Sequence, residues 1–173
     1  MMHMACEKWD VGKLDAGDRT VLRRCAGEMM GGNMAAIEAY YHALNTYPKW
    51  DGENEIFFAA MCMECLWRAD DVRSRLPMEE MLRQMYNHRD ATPSTKKRII
   101  SMLDIPWGND GFLLGKLCSM ARRMRADNGG LMPDFEKLAD DLRNWNHPDH
   151  FVQRRWIKVI CATNNKEEEE NVD

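Results

Sequence analysis

The segment Leu14-Asp-Ala-Gly-Asp-Arg-Thr-Val-Leu-Arg-Arg-Cys-Ala-Gly27 has the residue pattern of a short amphipathic helix. Asp18 suits the helix start, because an acidic side chain there meets unpaired N–H groups and the positive end of the helix dipole. Apolar side chains then recur at helical spacing, and the stripe consists of Val21, Leu22, Cys25, Ala26 and Met29. The pattern therefore predicts a helix with one face packed against a core.

The same segment carries three arginines away from the apolar stripe. Arg19 and Arg23 are four residues apart on another face, and Arg24 lies beside them. A guanidinium is always charged and forks toward paired oxygens, so three of them on one rigid turn suit phosphate groups. The alternative is an ordinary solvated helix face, balanced by the nearby acids Asp15, Asp18 and Glu28.

Glycine and proline residues divide the chain into helical patterns, and no stretch alternates like a strand for more than a few residues. The sequence predicts an all-α fold of about eight helices, at residues 16–30, 34–46, 53–69, 78–88, 94–103, 110–126, 134–145 and 148–162. Pro93 and Ser94 indicate the start of a second unit. We therefore predict two small helical bundles, residues 1–90 and 91–165, followed by an acidic disordered tail at 166–173.

Charge is distributed unevenly along the chain. The formal net charge of the chain is -4. Residues 1–90 carry -4 and residues 91–165 carry +4, so these two segments cancel and the net charge equals the -4 of the tail. A net of +4 is modest, so nucleic-acid binding depends on clusters of basic residues and not on bulk charge. No apolar run approaches the roughly 20 residues needed to cross a bilayer, and the first residues lack the layout of a signal peptide. We therefore expect a cytoplasmic protein that makes no membrane contact.

Basic residues of the second unit fall in three groups, each on a different predicted helix. The groups are Lys96-Lys97-Arg98, then Lys116 with Arg122, Arg123 and Arg125, then Arg154-Arg155 with Lys158. If the three helices are neighbours, their charges merge into one groove that fits a nucleic-acid backbone. The alternative is that they scatter over the surface and balance the acids Asp104, Asp127, Asp140 and Asp141.

The segment Cys62-Met-Glu-Cys65 has the two-residue spacing of half a zinc site. No second pair of this kind accompanies it, and His147 and His150 are distant in sequence. Cysteines inside apolar helical patterns are typically buried free thiols, so we predict no metal and no cofactor. Core or interface packing, with stacking on nucleobases as the alternative, is also predicted for Trp107, Trp145 and Trp156.

Four segments resemble a known family in their order and spacing. They are Leu14-Asp-Ala-Gly-Asp-Arg-Thr-Val-Leu-Arg-Arg24, Ala39-Tyr-Tyr-His-Ala-Leu44, Lys97-Arg-Ile-Ile-Ser-Met-Leu103 and Phe151-Val-Gln-Arg-Arg-Trp-Ile157. Together they resemble the small subunit of Cascade, the CasB family of type I-E CRISPR surveillance complexes. The resemblance extends from about Trp9 to Asn164.

This resemblance implies an all-helical protein without catalytic activity, present in more than one copy in an RNA-guided complex. Members of the family pack against the repeated backbone subunits, the large subunit and further copies of themselves. They contact nucleic-acid backbone and help to hold the displaced DNA strand in a complex of CRISPR RNA and target DNA. We therefore expect a non-catalytic subunit that stabilises the R-loop in antiviral defence by contacts independent of sequence.

The resemblance also assigns basic positions, and the residues that match them are Arg23, Arg24, Arg98, Lys116, Arg154 and Arg155. Asp104 departs from the family pattern, which often has an arginine there, and Lys97 or Arg122 would compensate. With the basic groups described above, the candidate nucleic-acid contacts are Arg19, Arg23, Arg24, Lys97, Arg98, Lys116, Arg122, Arg123, Arg154 and Arg155.

A free-standing helical DNA-binding regulator is the alternative function. It would need a helix-turn-helix whose recognition helix is rich in base-reading polar groups, usually in a dimer. The predicted helix at 94–103 fits this poorly, because its basic trio crowds the first turn and the remainder is largely apolar. An enzyme built on Cys62 and Cys65 would need a base and a third partner, which the sequence does not pair with them.

Overall fold

Helices with buried apolar faces form the fold that positions the basic residues. The structure is a computed structural model that describes residues 11–44 and 54–163. Within these ranges the α-helices are α1 (Ala16–Arg24), α2 (Met34–Ala43), α3 (Asn54–Glu64), α4 (Met78–Tyr86), α5 (Pro93–Met102), α6 (Phe112–Asp127), α7 (Phe135–Arg143) and α8 (Phe151–Ile160). The other elements are the strands β1 (Ser74–Leu76) and β2 (Leu131–Pro133) and the 3-10 helices Val11–Lys13 and Ala69–Asp71.

The predicted all-α class is confirmed as a mainly helical fold, in which two short strands accompany the helices, and each predicted helix has a counterpart among the described residues. The first helix, predicted to residue 30, ends at Arg24, and Gly27 closes the following turn with a left-handed φ of 91°. At Gly27 the chain also passes so close to α6 that a Cβ would stand 3.2 Å from Cys118 Sγ. The predicted tail at 166–173 lies outside the described residues.

The third helix, predicted to residue 69, ends at Glu64, and the chain then turns toward a strand pair that the sequence did not indicate. Trp67 is buried, and its Nε1 donates to Leu131 O at 2.9 Å. β1 and β2 pair in parallel, with Arg75 opposite Met132. Parallel strands need a long crossover connection, which α4, α5 and α6 supply. Strands of three residues are too short for alternation to reveal them.

One hydrophobic core runs through the described residues. α3 packs against α7, α4 packs against α8, and α1 packs against both α2 and α3. Several of these contacts, like the strand pair, join residues on the two sides of position 90. The division into two bundles at residue 90 stays a prediction. In the ranges that the structure describes, every helix is too short or too polar to span a bilayer.

A buried acid anchors α8 to α7 and α4. Asp141 of α7 accepts hydrogen bonds from Arg155 and from Trp156 Nε1, the latter at 2.9 Å. Arg155 Nε also lies 3.6 Å from Glu79 Oε1 on α4, and Lys137 Nζ donates to the same oxygen at 3.1 Å. Asp141 and Glu79 are both buried, and a buried carboxylate persists as a charge only when it is paired and hydrogen-bonded. The network therefore determines where α8 lies.

We expect Asp141→Ala to lower the free energy of unfolding by about 3 kcal/mol, because Arg155 and the Trp156 N–H lose a buried acceptor. Urea unfolding followed by circular dichroism measures this loss. Asp140→Ala is the matched control, since this neighbour is exposed and its ion pair with Arg143 at 3.5 Å contributes at most about 1 kcal/mol. Equal losses in the two variants would contradict the role of the network.

Candidate nucleic-acid interface

Helices α5 and α6 carry the basic residues that the structure brings together. α5 begins at a well-formed cap, because Thr92 Oγ1 accepts from the Thr95 N–H at 3.1 Å and Pro93 occupies the first turn. α6 follows Gly111, whose φ of 68° is readily adopted by glycine. These two starts set which side chains of each helix face the cleft between them.

We call this cleft the α5–α6 groove. Its volume is about 330 Å³, and it is lined by Thr95, Arg98, Ser101, Met102, Ile105, Lys116, Ser119, Met120 and Arg123. Arg98 and Lys116 are exposed and form no ion pair with a described residue. Arg123 Nη1 donates to Thr95 Oγ1 at 3.4 Å, and its Nε lies 3.8 Å from Asp127. Three cations and two serine hydroxyls line one cleft, a set of donors that suits phosphate oxygens.

A second cavity adjoins this groove, and we call it the α8 cavity. Its volume is about 540 Å³, and it is lined by Leu103, Asp104, Ile105, Pro106, Trp145, Asn146, His150, Gln153, Arg154 and Ile157. Ile105 lines both cavities. Arg154 is exposed and forms no ion pair in the described part of the chain. The three basic groups of the sequence thus contribute to two adjoining clefts and not to one groove.

Arg23 and Arg122 are directed to backbone carbonyls near helix ends. Arg23 Nε donates to Cys65 O at 3.0 Å, one residue past the end of α3. Arg122 Nη2 donates to Ala26 O at 3.3 Å, two residues past the end of α1. Carbonyl groups at a helix end lack intrahelical partners, so a guanidinium placed there satisfies them. Both arginines therefore have a structural role, whatever else they contact.

Arg19 and Arg155 are also engaged within the protein. Arg19 Nε donates to Val11 O at 3.3 Å. Burial opposes the charge of Arg155, but its hydrogen bond to Asp141 and the neighbouring carboxylates raise the pKa of Arg155 above its ordinary value. A guanidinium held in this way by buried acids has less freedom to meet a ligand.

Arg24 and Lys97 differ from these four arginines. Both are exposed, and neither forms an ion pair with a residue in the described ranges. Neither residue lines the α5–α6 groove or the α8 cavity. They stay candidates for separate contacts with a nucleic-acid backbone.

A basic cavity beside β1 has no counterpart among the sequence predictions. Arg73 and Arg75 line it together with Arg19, and its volume is about 380 Å³. Arg75 Nη2 lies 3.3 Å from the buried carboxylate of Glu64. The signal available in the sequence was the alternation of two arginines around Ser74, which places them on one side of an extended strand.

The Cys62 and Cys65 thiols pack in the core. Burial raises the pKa of Cys65 to about 12, and burial also raises the pKa of Cys62 well above its usual range. His147 and His150 are exposed near the start of α8. Among the described residues, no group of three or more His, Cys, Asp and Glu side chains is placed to hold a metal ion. The two thiols stay protonated at neutral pH and behave as small apolar groups.

Of Trp107, Trp145 and Trp156, the last two belong to the core. Trp145 and Trp156 are fully buried and meet edge to face, with ring centroids 5.1 Å apart, so they are not available to stack on bases. Trp145 Nε1 donates to Ile105 O at 2.8 Å and holds the residue that both cavities share. Trp107 is half-buried, and its backbone N–H donates to Asn146 Oδ1 at 2.9 Å.

These features define a small, mainly helical protein with a basic groove and an adjoining polar cavity. The sequence matches the family model of the CRISPR-associated protein Cse2 over residues 18–158. Because this match covers most of the chain, the chain belongs to the Cse2 family. The resemblance predicted from the four sequence segments is thereby confirmed.

Individual relatives are similar to this chain at lower identity. A Thermus thermophilus protein, CRISPR-associated protein Cse2, is 27% identical over 89 residues, which span 51% of this chain and 48%, about half, of that relative. The fold is similar to the crystal structure of a Cse2-family protein, also from Thermus thermophilus, at 22% identity and a TM-score of 0.62 over 86% of this chain and 87% of that one. A chain of a CRISPR RNA-guided surveillance complex is 18% identical, with a TM-score of 0.64 over 84% of this chain and 82% of that one. The CasB protein of M. ruber is 17% identical, with a TM-score of 0.62 over 84% of each chain.

We expect Arg23→Ala to lower the free energy of unfolding by about 1 kcal/mol, because it removes a charged donor from the Cys65 carbonyl. Arg24→Ala is the matched control from the next position of α1, and its stability should be unchanged within about 0.5 kcal/mol. Chemical denaturation of both variants measures the difference. An unchanged free energy of unfolding in Arg23→Ala would contradict a structural role for this arginine.

Thiol labelling tests the buried cysteines. In a Cys6→Ser variant, iodoacetamide should label Cys161, which is exposed, and leave Cys62 and Cys65 unmodified at mildly alkaline pH. Two causes act together, since buried thiols are inaccessible and the raised pKa keeps them protonated. Peptide mass spectrometry locates the label, and denaturant should make every cysteine reactive. Rapid labelling of Cys62 or Cys65 in the native protein would contradict their burial.

Proposed function

We propose that this chain is a non-catalytic subunit of a CRISPR RNA-guided DNA surveillance complex, Cascade, that acts in the cytoplasm in antiviral defence. Its partners are the backbone and large subunits, further copies of itself, CRISPR RNA and target DNA. It stabilises the R-loop by sequence-independent contacts to nucleic-acid backbone, mainly that of the displaced strand. The observation that carries the proposal is the convergence of Arg98, Lys116 and Arg123 in one groove of a Cse2-family fold.

The chemistry of the α5–α6 groove supports backbone binding. A guanidinium forks toward two phosphate oxygens, while an ammonium acts as a compact point charge. Arg98 and Lys116 have no carboxylate partner among the described residues, so a phosphate would not have to displace one. Asp127 lies near Arg123 only, at 3.8 Å. Two of the three cations of the groove, Arg98 and Lys116, are therefore not neutralised by a carboxylate of the described residues.

The groove also favours binding over catalysis. Its lining residues include no carboxylate, imidazole or thiol, which are the usual acid–base groups of active sites. Lys116 Nζ lies 5.5 Å from the centre of the Phe112 ring, an arrangement that stabilises the charged ammonium. A lysine ammonium at this position is suited to donate hydrogen bonds to phosphate oxygens.

Modest contacts of this kind suffice in an RNA-guided complex. Guide pairing reads the sequence, and the exchange of a DNA duplex for an RNA–DNA duplex is nearly balanced in free energy. A few contacts to the displaced strand then shift the balance toward the open state. This accounts for the role of a subunit whose overall charge is slightly negative.

We expect the double variant Arg98→Ala Lys116→Ala to assemble normally and to bind target DNA less tightly. The loss of affinity should be largest at low salt. Each lost phosphate contact on a single strand should reduce the slope of log affinity against log salt by roughly 0.7, because fewer counterions are released. Titration of labelled target DNA with reconstituted complex, at several salt concentrations, measures both effects.

Arg68→Ala is the matched control, because Arg68 is exposed and lies in neither the α5–α6 groove nor the α8 cavity. Its complex should keep the affinity and salt dependence of the unaltered complex. Unchanged binding of the Arg98→Ala Lys116→Ala complex at every salt concentration would remove these residues from the interface. If the unaltered chain did not enter an RNA-containing complex, the proposal would be contradicted and the alternative function, a free-standing helical regulator, would be favoured.

A further inference from the structure

Gln153, which lines the α8 cavity, has a buried hydrogen-bond acceptor without a donor among the described residues. Gln153 is only 7% exposed, and its Nε2 donates to Trp145 O at 2.6 Å. Its Oε1 is buried and receives no hydrogen bond from the described part of the chain. Buried polar atoms are almost always paired, and an exception calls for a physical explanation. A donor group entering the cavity would supply the missing partner after a small movement of the side chain.

A second acceptor lines the same cavity. Asp104 is exposed and has no cationic partner among the residues described. Arg154 lines the cavity as well, yet it is not within ion-pair distance of this carboxylate. Arg154 and Asp104 therefore place a cation and an exposed acceptor in one cavity, and a ligand that satisfies both carries an anionic group and a hydrogen-bond donor.

Apolar side chains form much of the remaining wall, together with the polar residues Asn146 and His150. Leu103, Ile105, Pro106 and Ile157 line the cavity, and Ile157 is 41% exposed. Binding pockets for small organic groups typically combine such walls with a few polar atoms that select orientation. The volume of about 540 Å³ lies in the range of such pockets. A flat heterocycle with amino groups fits this combination of walls and acceptors.

We propose that the α8 cavity receives a nucleobase of the displaced DNA strand and prefers cytosine to thymine. This inference rests on the proposed function, because Ile105 joins the cavity to the α5–α6 groove, where the backbone of the strand would lie. Arg154 contacts a phosphate of the same strand, and Asp104 accepts from the amino group of the base. The subunit then adds a base preference to contacts that are otherwise independent of sequence.

The preference follows from the hydrogen-bonding groups of the bases. Cytosine carries the N4 amino group, to which aspartate and glutamate are suited as acceptors. Thymine presents the O4 acceptor at the same position, which would repel the carboxylate of Asp104. An aspartate is also unfavourable beside phosphate, so the base edge lies at Asp104 and the phosphate at Arg154, which is not within ion-pair distance of Asp104.

The test uses the assembled complex and a target DNA that is opened in advance. The target strand contains only pyrimidines in the opened segment, so a displaced strand of cytosines and one of thymines both stay unpaired with it. Guide pairing is identical for the two substrates, and any difference in affinity reports the displaced strand. We expect the unaltered complex to bind the cytosine substrate about fivefold more tightly.

Asp104→Ala should abolish this preference, and Asp104→Asn should reduce it, because the amide keeps an acceptor without the charge. Asp71→Ala is the charge-matched control, since Asp71 is exposed and lines a different cavity. Its complex should keep the full preference.

Equal affinity of the unaltered complex for both substrates would overturn the base pocket. The Arg98→Ala Lys116→Ala complex separates this failure from failure of the proposed function: weaker binding of both substrates keeps the backbone contacts, whereas unchanged binding removes them. If the Asp104→Ala protein no longer assembled into the complex in the absence of DNA, the cavity would be a contact between subunits. That result would also overturn the proposed base pocket.

Discussion

The position of Arg154 in the basic surface depends on the hydrogen bonds that the buried carboxylate of Asp141 accepts from α8. A buried charge persists only when it is paired, and both of its partners, Arg155 and the indole N–H of Trp156, lie on α8. This pairing defines the rotation of α8 against α7. With that rotation, Trp156 is in the core and Arg154 is at the surface beside the loop that follows α5. One buried acid therefore contributes to stability and determines which arginine is available to a ligand.

The chain contains three pairs of consecutive arginines, and within each pair the two residues differ. Neighbouring residues on a helix point about 100° apart, so an acceptor that one of them reaches is not available to the other. One member of each pair binds a backbone carbonyl or a buried acid, and these members are Arg23, Arg122 and Arg155. The other members are Arg24 and Arg154, which form no ion pair with a described residue, and Arg123, which contacts the side chains of Thr95 and Asp127. A cluster of basic residues in the sequence is therefore only partly a binding surface.

The two clefts that adjoin at Ile105 have different chemistry. The α5–α6 groove offers cations and hydroxyl groups, which suit phosphates of any sequence. The α8 cavity offers acceptors between apolar walls, which suit the edge of a base. A subunit that only stabilises an opened strand needs the first kind of surface, and the second would let it respond to what that strand contains.

The spacing of apolar residues along the chain determined the helical class and the existence of each helix, because that spacing is a local property. The order of four short segments indicated the family, because each segment is a local pattern in the sequence. The clusters of basic residues indicated Arg98 and Lys116 as candidate nucleic-acid contacts. Tertiary structure alone decided the strand pair, the α8 cavity and the roles within each arginine pair. These depend on contacts between distant positions, such as Trp67 with Leu131 and Arg122 with Ala26. No local pattern encodes such contacts, because they form only when the whole core packs.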